Sequence, residues 1–556
     1  MNTKIKSVEI LPLVKYDMDA LGLARLFDRF VPNSNGAEIA PAQVLSLLVM
    51  NIMVSSKPLY RVEEWLHDDL DGVTEEPLEA AKYNDDRLGR SLDQLFAADR
   101  GSLQAALSAE AIRVHQLETN VIHNDSTSVT FLGAYETPDA QAVTLTHGYN
   151  KDHRPDCKQI VFGLNITADG DVPLSHPLYD GNQADVTTHS PNWQHLRELL
   201  DQEDFIYVAD SKLCSMENLN TIAEHGGRYI TVVPRNVREV KDFLQRVRNG
   251  EDPLWQHRHD IPDSRKRGAI QTYRIHVGET MDNGARILWV HSTGKERLER
   301  NAREQRLIKA EQALERLASG LNQRQLKTRT QIEAALKKAT GAVGAFLAVT
   351  LEETRTSERV QIGRGRPGPH TRYKEVERVC YQLQWQRDEA EIARAQRTDG
   401  LFPLTDNTGL DPVEVLRTYK HQPYLEKRFS TQKSVLNVAP VFLKTPSRIE
   451  AMLCLYFIAL MLVSLIERRI RLDMKKAHIE RLPLRPGRMQ TKAPTWRTIM
   501  DSFHGVHLAS IERSGRVIQT TLKGLTALRQ QVLALLKVPI DIYTSLRDGW
   551  WRFALE

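Results

Sequence analysis

Two aspartates that each end a short apolar run constrain the fold of this chain more than any other feature. Asp125 ends the run Val-Ile-His-Asn-Asp, and Asp210 ends the run Phe-Ile-Tyr-Val-Ala-Asp. Runs rich in β-branched and aromatic residues are typical of β-strands, so both aspartates are predicted at strand ends. The fold is therefore expected to bring two carboxylates to one edge of a sheet.

The elements around these aspartates are predicted in the order strand, hairpin, helix, strand, helix, strand. The predicted strands cover 121–123, 143–146, 160–166, 205–210 and 228–233, and the predicted helices cover 195–200 and 216–224. Crossover connections make the first and fourth strands parallel neighbours in a mixed sheet. Ligands bind at the carboxyl ends of such strands, so Asp125 and Asp210 are predicted side by side at a ligand-binding edge.

A third carboxylate is predicted on a helix in the stretch Tyr419–Lys433. Pro423 cannot lie comfortably inside a helix, so a new helix is expected to begin there. Within it, Glu426 and Lys433 are seven residues apart, which leaves about 20° between them on the helix surface. A carboxylate and an ammonium on one helix face suit a metal contact and a phosphate contact.

Three carboxylates held by two strands and a helix can bind a pair of divalent cations. The alternative is three unrelated surface acids among the 71 Asp and Glu residues of the chain. Asp406 is the rival third carboxylate because it follows a predicted strand, whereas Asp411 is explained as the N-cap of a helix that begins at Pro412. Glu426 is preferred because a lysine follows it seven residues later.

Composition narrows the class of protein. With 556 residues, 41% of them hydrophobic, the chain is long enough for several packed domains. A net charge of +4 does not by itself indicate nucleic-acid binding, which has to be argued from local clusters. The four cysteines form no Cys-x-x-Cys pair, so neither a zinc site nor a disulfide framework is expected, and a reducing cytoplasm fits. The apolar run Ala451–Ile466 is too short for a membrane span and is predicted as a buried core helix. The N-terminal residues lack the apolar region of a signal peptide, so no signal peptide is expected.

Two basic regions lie between the predicted sheet and the helix of Glu426. Residues 295–338 hold 12 Lys and Arg against 6 Glu on a predicted helical arm that breaks near Ser319, after a β-hairpin at 272–277 and 286–290. Residues 363–369 read Gly-Arg-Gly-Arg-Pro-Gly-Pro, like the core of minor-groove peptides. Each region can be a DNA contact. The alternative for residues 295–338 is a solvated helix face, and the alternative for residues 363–369 is a flexible linker.

Two further segments keep open alternatives. Residues 1–115 show helical periodicity, which is compatible with a helix-turn-helix DNA reader or with a structural bundle. The charged segment 151–156, Lys-Asp-His-Arg-Pro-Asp, is either a functional loop or a solvated hairpin turn, and 181–185, Gly-Asn-Gln-Ala-Asp, is similarly ambiguous.

The carboxylate pattern resembles the catalytic signature of bacterial insertion-sequence transposases of the DDE class, in the group marked by Tyr-x2-Arg-x3-Glu-x6-Lys. Tyr419, Glu426 and Lys433 fit that spacing, and Gln422 stands at the arginine position. Arg417, Lys420 or Arg428 can compensate for the missing arginine. The segment Gly-Tyr-x-Lys-Asp-His-Arg-Pro-Asp at 148–156 is also similar to this group.

The resemblance implies an α/β fold with an RNase H-like, retroviral-integrase-like catalytic core. It implies a helical N-terminal domain at 1–115 that binds DNA ends, core segments at 116–235 and 396–485, an insertion of β-hairpin, charged helical arm and Gly/Arg/Pro linker at 236–395, and a C-terminal helical region at 486–556.

The resemblance also implies Mg²⁺-dependent cleavage at insertion-sequence ends and strand transfer of the 3′-OH into target DNA. Asp125, Asp210 and Glu426 would be the catalytic residues and the ligands of two Mg²⁺ ions, for which Mn²⁺ substitutes. The expected partners are double-stranded DNA, as terminal inverted repeats and target, and a second copy of the chain in a synaptic homodimer, all in the cytoplasm at the nucleoid. The expected DNA contacts are Tyr419, Gln422, Lys433, Lys151, Arg154, Arg364 and Arg366.

Two other functions share parts of this pattern. A nuclease on the same fold would have the three carboxylates without transposition. A DNA-binding regulator with an inactive core is the non-enzyme alternative, and Gln422 is the feature that favours it. Short inverted repeats flanking the gene would favour a transposase.

Overall fold

A computed structural model describes most of the chain. It covers residues 2–33, 38–67, 79–133, 135, 139–151, 154–262, 268–323, 326–438, 443–485, 487, 489–513 and 516–548. The chain divides into two compact units. Unit 1 comprises Met1–Thr231, Asp406–Gly409 and Val415–Glu556, and unit 2 comprises Val232–Thr405 and Leu410–Glu414.

Helices and strands alternate along most of the chain. The α-helices are α1 (Leu11–Ala20), α2 (Leu23–Phe30), α3 (Pro41–Val54), α4 (Val62–Trp65), α5 (Asp85–Ala97), α6 (Arg100–His115), α7 (His189–Leu200), α8 (Met216–Glu224), α9 (Arg238–Arg248), α10 (Thr293–Ser319), α11 (Arg329–Thr340), α12 (Glu389–Gln396), α13 (Pro412–Tyr419), α14 (Pro423–Ser434), α15 (Pro446–Lys476), α16 (Trp496–Ser502), α17 (Ala527–Leu535) and α18 (Asp541–Thr544). The strands are β1 (Asn2–Ser7), β2 (Val121–Phe131), β3 (Lys158–Thr167), β4 (Pro173–Ser175), β5 (Leu178–Tyr179), β6 (Ile206–Val208), β7 (Arg228–Val232), β8 (His257–Pro262), β9 (Ile270–Thr280), β10 (Arg286–Ser292), β11 (Leu347–Gln361), β12 (Tyr373–Arg387), β13 (Leu401–Asp406), β14 (Leu482–Arg485), β15 (Met489–Thr491), β16 (His507–Arg513) and β17 (Arg516–Lys523).

A mixed sheet forms the centre of unit 1. Its strands follow the order β4-β3-β2-β6-β7, and β5 also pairs with β3. Strand β2 is antiparallel to β3, whereas β2 and β6 are parallel, as are β6 and β7. This confirms the predicted parallel pairing of the strands that lead to Asp125 and Asp210. Helix α7 lies in the crossover connection between these strands.

The long apolar helix α15 is the core of unit 1. It has the length and hydropathy of a membrane span, but the whole of its apolar window is buried inside the protein, as in the core helix of a soluble protein. Helices α3 and α5 of the N-terminal region pack against it. The prediction of a buried core helix at 451–466 is confirmed, and the helix extends well beyond that range at both ends.

Ion pairs join the N-terminal helices to this core helix. The Arg469 guanidinium donates to both carboxylate oxygens of Asp17 at 2.6 and 2.8 Å, and Arg448 donates to Asp93 in the same bidentate way at 2.7 Å. Residues 1–115 accordingly belong to unit 1 together with the sheet. The predicted boundary at residue 115 does not separate a compact unit, because the apolar face of the N-terminal helices is buried against α15.

The two ends of the chain pair with each other in a small antiparallel sheet. Its order is β1-β16-β17, with Asn2 opposite Glu512 and Ser7 opposite His507. The prediction of a helical region at 486–556 is therefore wrong for this part, and the helical region predicted at 1–115 begins with a strand. The pairing depends on backbone hydrogen bonds between distant segments, which helical periodicity does not reveal. Residues 549–556 lie outside the described part of the chain.

Unit 2 combines a sheet with a helical arm. The strand order is β13-β10-β9-β8, and the predicted hairpin of β9 and β10 is confirmed. Helix α10 ends at Ser319, as predicted, and its buried Leu307, Ala310 and Leu314 pack in one hydrophobic cluster. Residues 324–325 of the predicted arm lie outside the described residues.

A long β-hairpin carries the Gly/Arg/Pro segment of unit 2. Strands β11 and β12 pair without a break from Leu347 opposite Arg387 to Gln361 opposite Tyr373. Residues 363–369 lie in the turn that connects these two strands. Apolar residues alternate at the base of the hairpin, as in Val379, Tyr381, Leu383 and Trp385, whereas the part of the strands next to the turn is mostly polar and exposed.

A buried arginine in α14 anchors that helix to the core. Arg428 is 3% exposed, and its guanidinium donates to Glu467 at 2.7 Å, to the Asp171 carbonyl at 2.8 Å and to the Gly170 carbonyl at 3.0 Å. Glu467 also accepts a hydrogen bond from the Trp496 backbone N–H at 2.7 Å. These bonds connect α14 to the turn between β3 and β4 and to α15.

Replacing this arginine should destabilise unit 1. Arg428→Met leaves the Glu467 carboxylate buried without its closest cation, so we expect the free energy of unfolding to fall by about 3–5 kcal/mol. Urea unfolding monitored by tryptophan fluorescence measures the change. Arg113→Met, which removes a solvent-exposed pair with Glu110, is the matched control and should leave the midpoint unchanged. Equal midpoints for both variants would contradict the anchoring role.

Candidate active site

Asp125 and Asp210 occupy equivalent positions on neighbouring parallel strands. The pairing of β2 with β6 ends at His123 opposite Val208, and each aspartate lies two residues further along its chain. Parallel neighbours are about 4.8 Å apart, and the Asp210 charge contributes to the raised pKa of Asp125, so the two carboxylates lie near each other. Asp210 follows β6 and accepts a hydrogen bond from the Lys212 N–H at 2.9 Å.

Asp125 differs from its predicted place at a strand end. Strand β2 continues to Phe131 because β3 pairs with it along its other edge, with Asp125 opposite Leu164. The aspartate marks the point where β2 loses its parallel neighbour rather than the point where the strand stops. Strands β2 and β3 therefore extend beyond the end of β6, and Asp125 lies just past the last residue of β2 that pairs with β6.

A lysine from the loop before β3 lies against Asp125. The Lys151 ammonium is 3.4 Å from the Asp125 carboxylate and donates to the Ser126 carbonyl at 2.5 Å. The pKa of Asp125 is raised because burial disfavours its charged form; the Lys151 charge opposes this shift and the Asp210 charge adds to it. A cation beside this carboxylate offsets the cost of keeping two aspartates together.

Asp185 and His189 also lie at this edge, and sequence patterns did not single them out as site residues. The Ser126 hydroxyl donates to Asp185 at 2.9 Å. His189 is buried and bonded to the Tyr207 hydroxyl at 3.2 Å. Burial lowers the pKa of His189 to about 4, against the opposing charges of Asp210 and Asp185.

Gly148 and Gly181 are the residues by which the sequence could have indicated this part of the site, because they pack closely against each other. A side chain at Gly148 would collide with the Gly181 carbonyl, and one at Gly181 would collide with the Gln159 carbonyl. The loop that carries Lys151 and the segment that leads to Asp185 are therefore held backbone to backbone.

Tyr419 is the side chain on which the three predicted carboxylates converge. The pKa of Tyr419 is raised to about 12, first by burial and then by the charges of Asp210, Asp125 and Glu426. Glu426 is exposed on the first turn of α14, which begins at Pro423 as predicted, and Lys433 is on its last turn. The Tyr419 phenol consequently keeps its proton at neutral pH and can act as a hydrogen-bond donor beside the carboxylates.

The rival carboxylate Asp406 has a structural role. It is 1% exposed at the end of β13, and one of its oxygens accepts from the Thr408 N–H at 3.0 Å and from the Thr408 hydroxyl at 2.7 Å. These bonds hold the turn that follows the strand. Asp411 caps α13 through the Val413 N–H at 2.8 Å, as predicted.

The remaining predicted DNA contacts lie in different settings. Gln422 is bonded inside unit 1, to His123 at 2.9 Å and to the Asn124 carbonyl at 2.7 Å. Arg154 is exposed and pairs with Asp156 through two hydrogen bonds of 2.9 and 2.8 Å. Asp152 and His153, between Lys151 and Arg154, lie outside the described residues.

Three arginines to which the sequence analysis gave a role in DNA binding differ in exposure. Arg364 and Arg366 are exposed in the turn of the β11–β12 hairpin in unit 2. Arg428 is buried and bonded to Glu467, so it does not replace the arginine of the signature.

The donor set at this edge suits hard divalent cations. In the described residues, no three His, Cys, Asp or Glu side chains are placed closely enough to hold one metal ion together. Mg²⁺ keeps several waters and needs only one or two carboxylates, and Asp125 and Asp210 are carboxylates of the kind it prefers.

Comparisons with known proteins give two family matches. Residues 3–109 match a family described as a domain of unknown function, DUF4277, and residues 117–462 match the family described as "Transposase DDE domain". The comparison with curated proteins finds no match.

One solved structure has a weak overall similarity to the chain. It is described as "Cryo-EM structure of piggyBac transposase synaptic complex with hairpin DNA (SNHP)", with a TM-score of 0.29 and 13% sequence identity. The match covers 48% of this chain and 58% of that chain, so it spans less than two thirds of either.

The choice between Glu426 and Asp406 can be tested by metal binding. Glu426→Gln should weaken Mn²⁺ binding more than tenfold because it removes a carboxylate from the group around Tyr419. Asp406→Asn should leave Mn²⁺ affinity within twofold and lower the melting temperature instead. Titration calorimetry and a thermal melt of each variant measure both effects. Weaker Mn²⁺ binding by Asp406→Asn alone would transfer the third position to Asp406.

Proposed function

This chain belongs to the family of DDE-domain transposases, which are DNA-cleaving enzymes, and we propose that it cuts insertion-sequence ends and joins the freed 3′-OH to target DNA. The proposed catalytic residues are Asp125, Asp210 and Glu426. The observation that carries the proposal is the parallel pairing of β2 with β6, which brings Asp125 and Asp210 to one edge of the sheet, together with the bond from Gln422 on the helix of Glu426 to the Asn124 carbonyl of β2.

The acidic residues are proposed to hold two Mg²⁺ ions, and Mn²⁺ is expected to substitute. Enzymes of this class depend on divalent metals in general. Bound cations supply an activated nucleophile and neutralise the charge on the attacked phosphate and the leaving oxygen. In this assignment Asp125 would contribute to both ions, and Asp210 and Glu426 would contribute to one each.

Tyr419 and Lys433 are proposed to orient the DNA backbone at this edge. The protonated phenol of Tyr419 can donate to a phosphate oxygen, and repulsion from three carboxylates disfavours loss of its proton. Lys433 shares the Glu426 face of α14 and provides a positive charge two turns away. Lys151 and Arg154 are proposed to contact DNA near these residues. Lys151 neutralises part of the charge on Asp125, and Arg154 follows Lys151 by three residues.

The β11–β12 hairpin is proposed as a second DNA contact, in unit 2. Its turn exposes Arg364 and Arg366 at the end of two strands of fifteen residues each. Arginines presented on an extended turn can enter a narrow minor groove or pair with phosphates. The chain is further proposed to act as a homodimer on paired inverted repeats in the cytoplasm, associated with the nucleoid when bound to DNA.

Removing one charge of the site tests the proposed function. Asp210→Asn keeps the shape of the side chain and should lower Mg²⁺-dependent cleavage more than about 100-fold, since losing a ligand costs more than losing its outer-shell partner. Binding to end DNA should remain within threefold of wild type.

The matched control for this variant is Asp204→Asn, an exposed aspartate six residues earlier. It should cleave at the wild-type rate. Gel assays with uncut and precut end substrates separate cleavage from strand transfer. Cleavage by Asp210→Asn at the wild-type rate would refute the site, and cleavage without joining of precut ends by the wild type would favour a nuclease.

The hairpin contact is tested by the salt dependence of DNA binding. Replacing Arg364 and Arg366 with Gln should weaken binding, because each arginine that pairs with a phosphate releases a counterion from the DNA. The slope of log Kd against log salt should fall by about one for each phosphate that is no longer neutralised.

The control for the hairpin variant uses Arg355 and Arg378 on the same strands, which are already paired with Glu353 and Glu358. Replacing both with Gln should leave the slope nearly unchanged. An unchanged slope in the Arg364 and Arg366 variant would instead assign the turn no role in DNA binding.

A further inference from the structure

One glutamine amide connects the helix of Glu426 to the strand of Asp125. The Gln422 Nε2–H donates to the Asn124 carbonyl at 2.7 Å, and its Oε1 lies 2.9 Å from His123 Nδ1. Because the amide nitrogen is the donor to Asn124, its oxygen accepts from His123, which therefore carries its proton on Nδ1. Both partners immediately precede Asp125 in β2.

The spacing on each element makes this connection direct. Gln422 occupies the N-cap position of α14 without a side-chain capping bond, and it precedes Glu426 by four residues, which is one helical turn on the same face. His123 precedes Asp125 by two residues, so both side chains project from the same face of β2. One pair of hydrogen bonds thus sets the distance between the two carboxylate-bearing backbones.

Neighbouring contacts keep this segment in place. His421 bonds to the Asp171 carboxylate at 2.6 Å, and its ring lies 5.1 Å from the ring of His123. Arg428 binds the Asp171 carbonyl from the next turn of α14. The helix is therefore attached on both sides of Glu426, and the Gln422 hydrogen bonds attach it to the strand of Asp125 itself.

We propose that Gln422 is a positioning residue that fixes Glu426 relative to Asp125, and that it does not contact DNA phosphate. This inference rests on the proposed function, because it gives the amide a role in aligning two metal-binding carboxylates. An arginine in its place has donors only, so it would keep both contacts only with the His123 proton moved to Nε2, and it would bring a positive charge beside the rings of His123 and His421.

The first test replaces the amide in two ways. Gln422→Met removes both bonds at similar length and should lower the cleavage rate at least tenfold and raise the Mg²⁺ concentration needed for half-maximal rate. Gln422→Arg should also lose activity. In both variants the Kd for end DNA should stay within threefold and its salt slope unchanged. Tighter, more salt-dependent binding and full activity in Gln422→Arg would overturn the proposal in favour of a phosphate contact.

The chain provides a matched control on the same helix. Gln432 is fully buried, and its amide has no hydrogen-bond partner among the described residues. Gln432→Met makes the same substitution ten residues later without breaking a bond, so the cleavage rate and the Mg²⁺ requirement should stay at wild-type values. A loss equal to that of Gln422→Met would show a general effect on α14 and overturn the positioning role.

A second pair of variants keeps the proposal testable if Gln422→Met melts below the assay temperature. His123→Asn retains an amide N–H near the position of Nδ1 and should keep most activity, whereas His123→Phe should match the loss of Gln422→Met. If both His123 variants are fully active, the proposal fails. Asp210→Asn is measured alongside: an active Asp210→Asn removes the proposed function itself, whereas an inactive Asp210→Asn with a fully active Gln422→Met removes only the positioning role.

Discussion

The short parallel pairing of β2 with β6 is the constraint on which the rest of the site depends. It ends at His123 and Val208, and because each chain continues two residues further, Asp125 and Asp210 lie near each other at one edge of the sheet. Two carboxylates this close repel each other, and burial adds to the cost, as the raised pKa of Asp125 indicates. The Lys151 ammonium offsets part of that cost in the metal-free protein. A divalent cation would offset more of it.

The helix that brings the third carboxylate is held by buried polar bonds rather than by an extensive apolar face. Gln422 binds β2, and Arg428 binds the turn before β4 and the Glu467 carboxylate of α15. Such bonds are directional and costly to leave unmade, so they define the orientation of α14 more sharply than apolar packing does. Glu426 can therefore remain exposed to solvent while its backbone stays in place.

Local patterns in the sequence predicted much of the core correctly. The start of α14 at Pro423, the cap at Asp411, the end of α10 at Ser319 and the buried helix at 451–466 all depend on neighbouring residues, and the structure has each of them. Predictions failed where pairing joins distant segments. The pairing of β1 with β16 joins segments about 500 residues apart, and the outer part of the β11–β12 hairpin is mostly polar, so neither pairing was recognised from local patterns.

The sequence by itself determined which residues can supply carboxylates, because strand propensity and helical spacing are local properties that place Asp125, Asp210 and Glu426 on definite elements. Only the tertiary structure decided how these residues meet. It placed Asp125 in the middle of a strand and Asp185 beside Ser126, and it gave Gln422 two partners that are 299 and 298 residues away in the chain. Hydrogen bonds over such separations leave no periodic signal in the sequence, so the sequence could identify the carboxylates but not the contacts that align them.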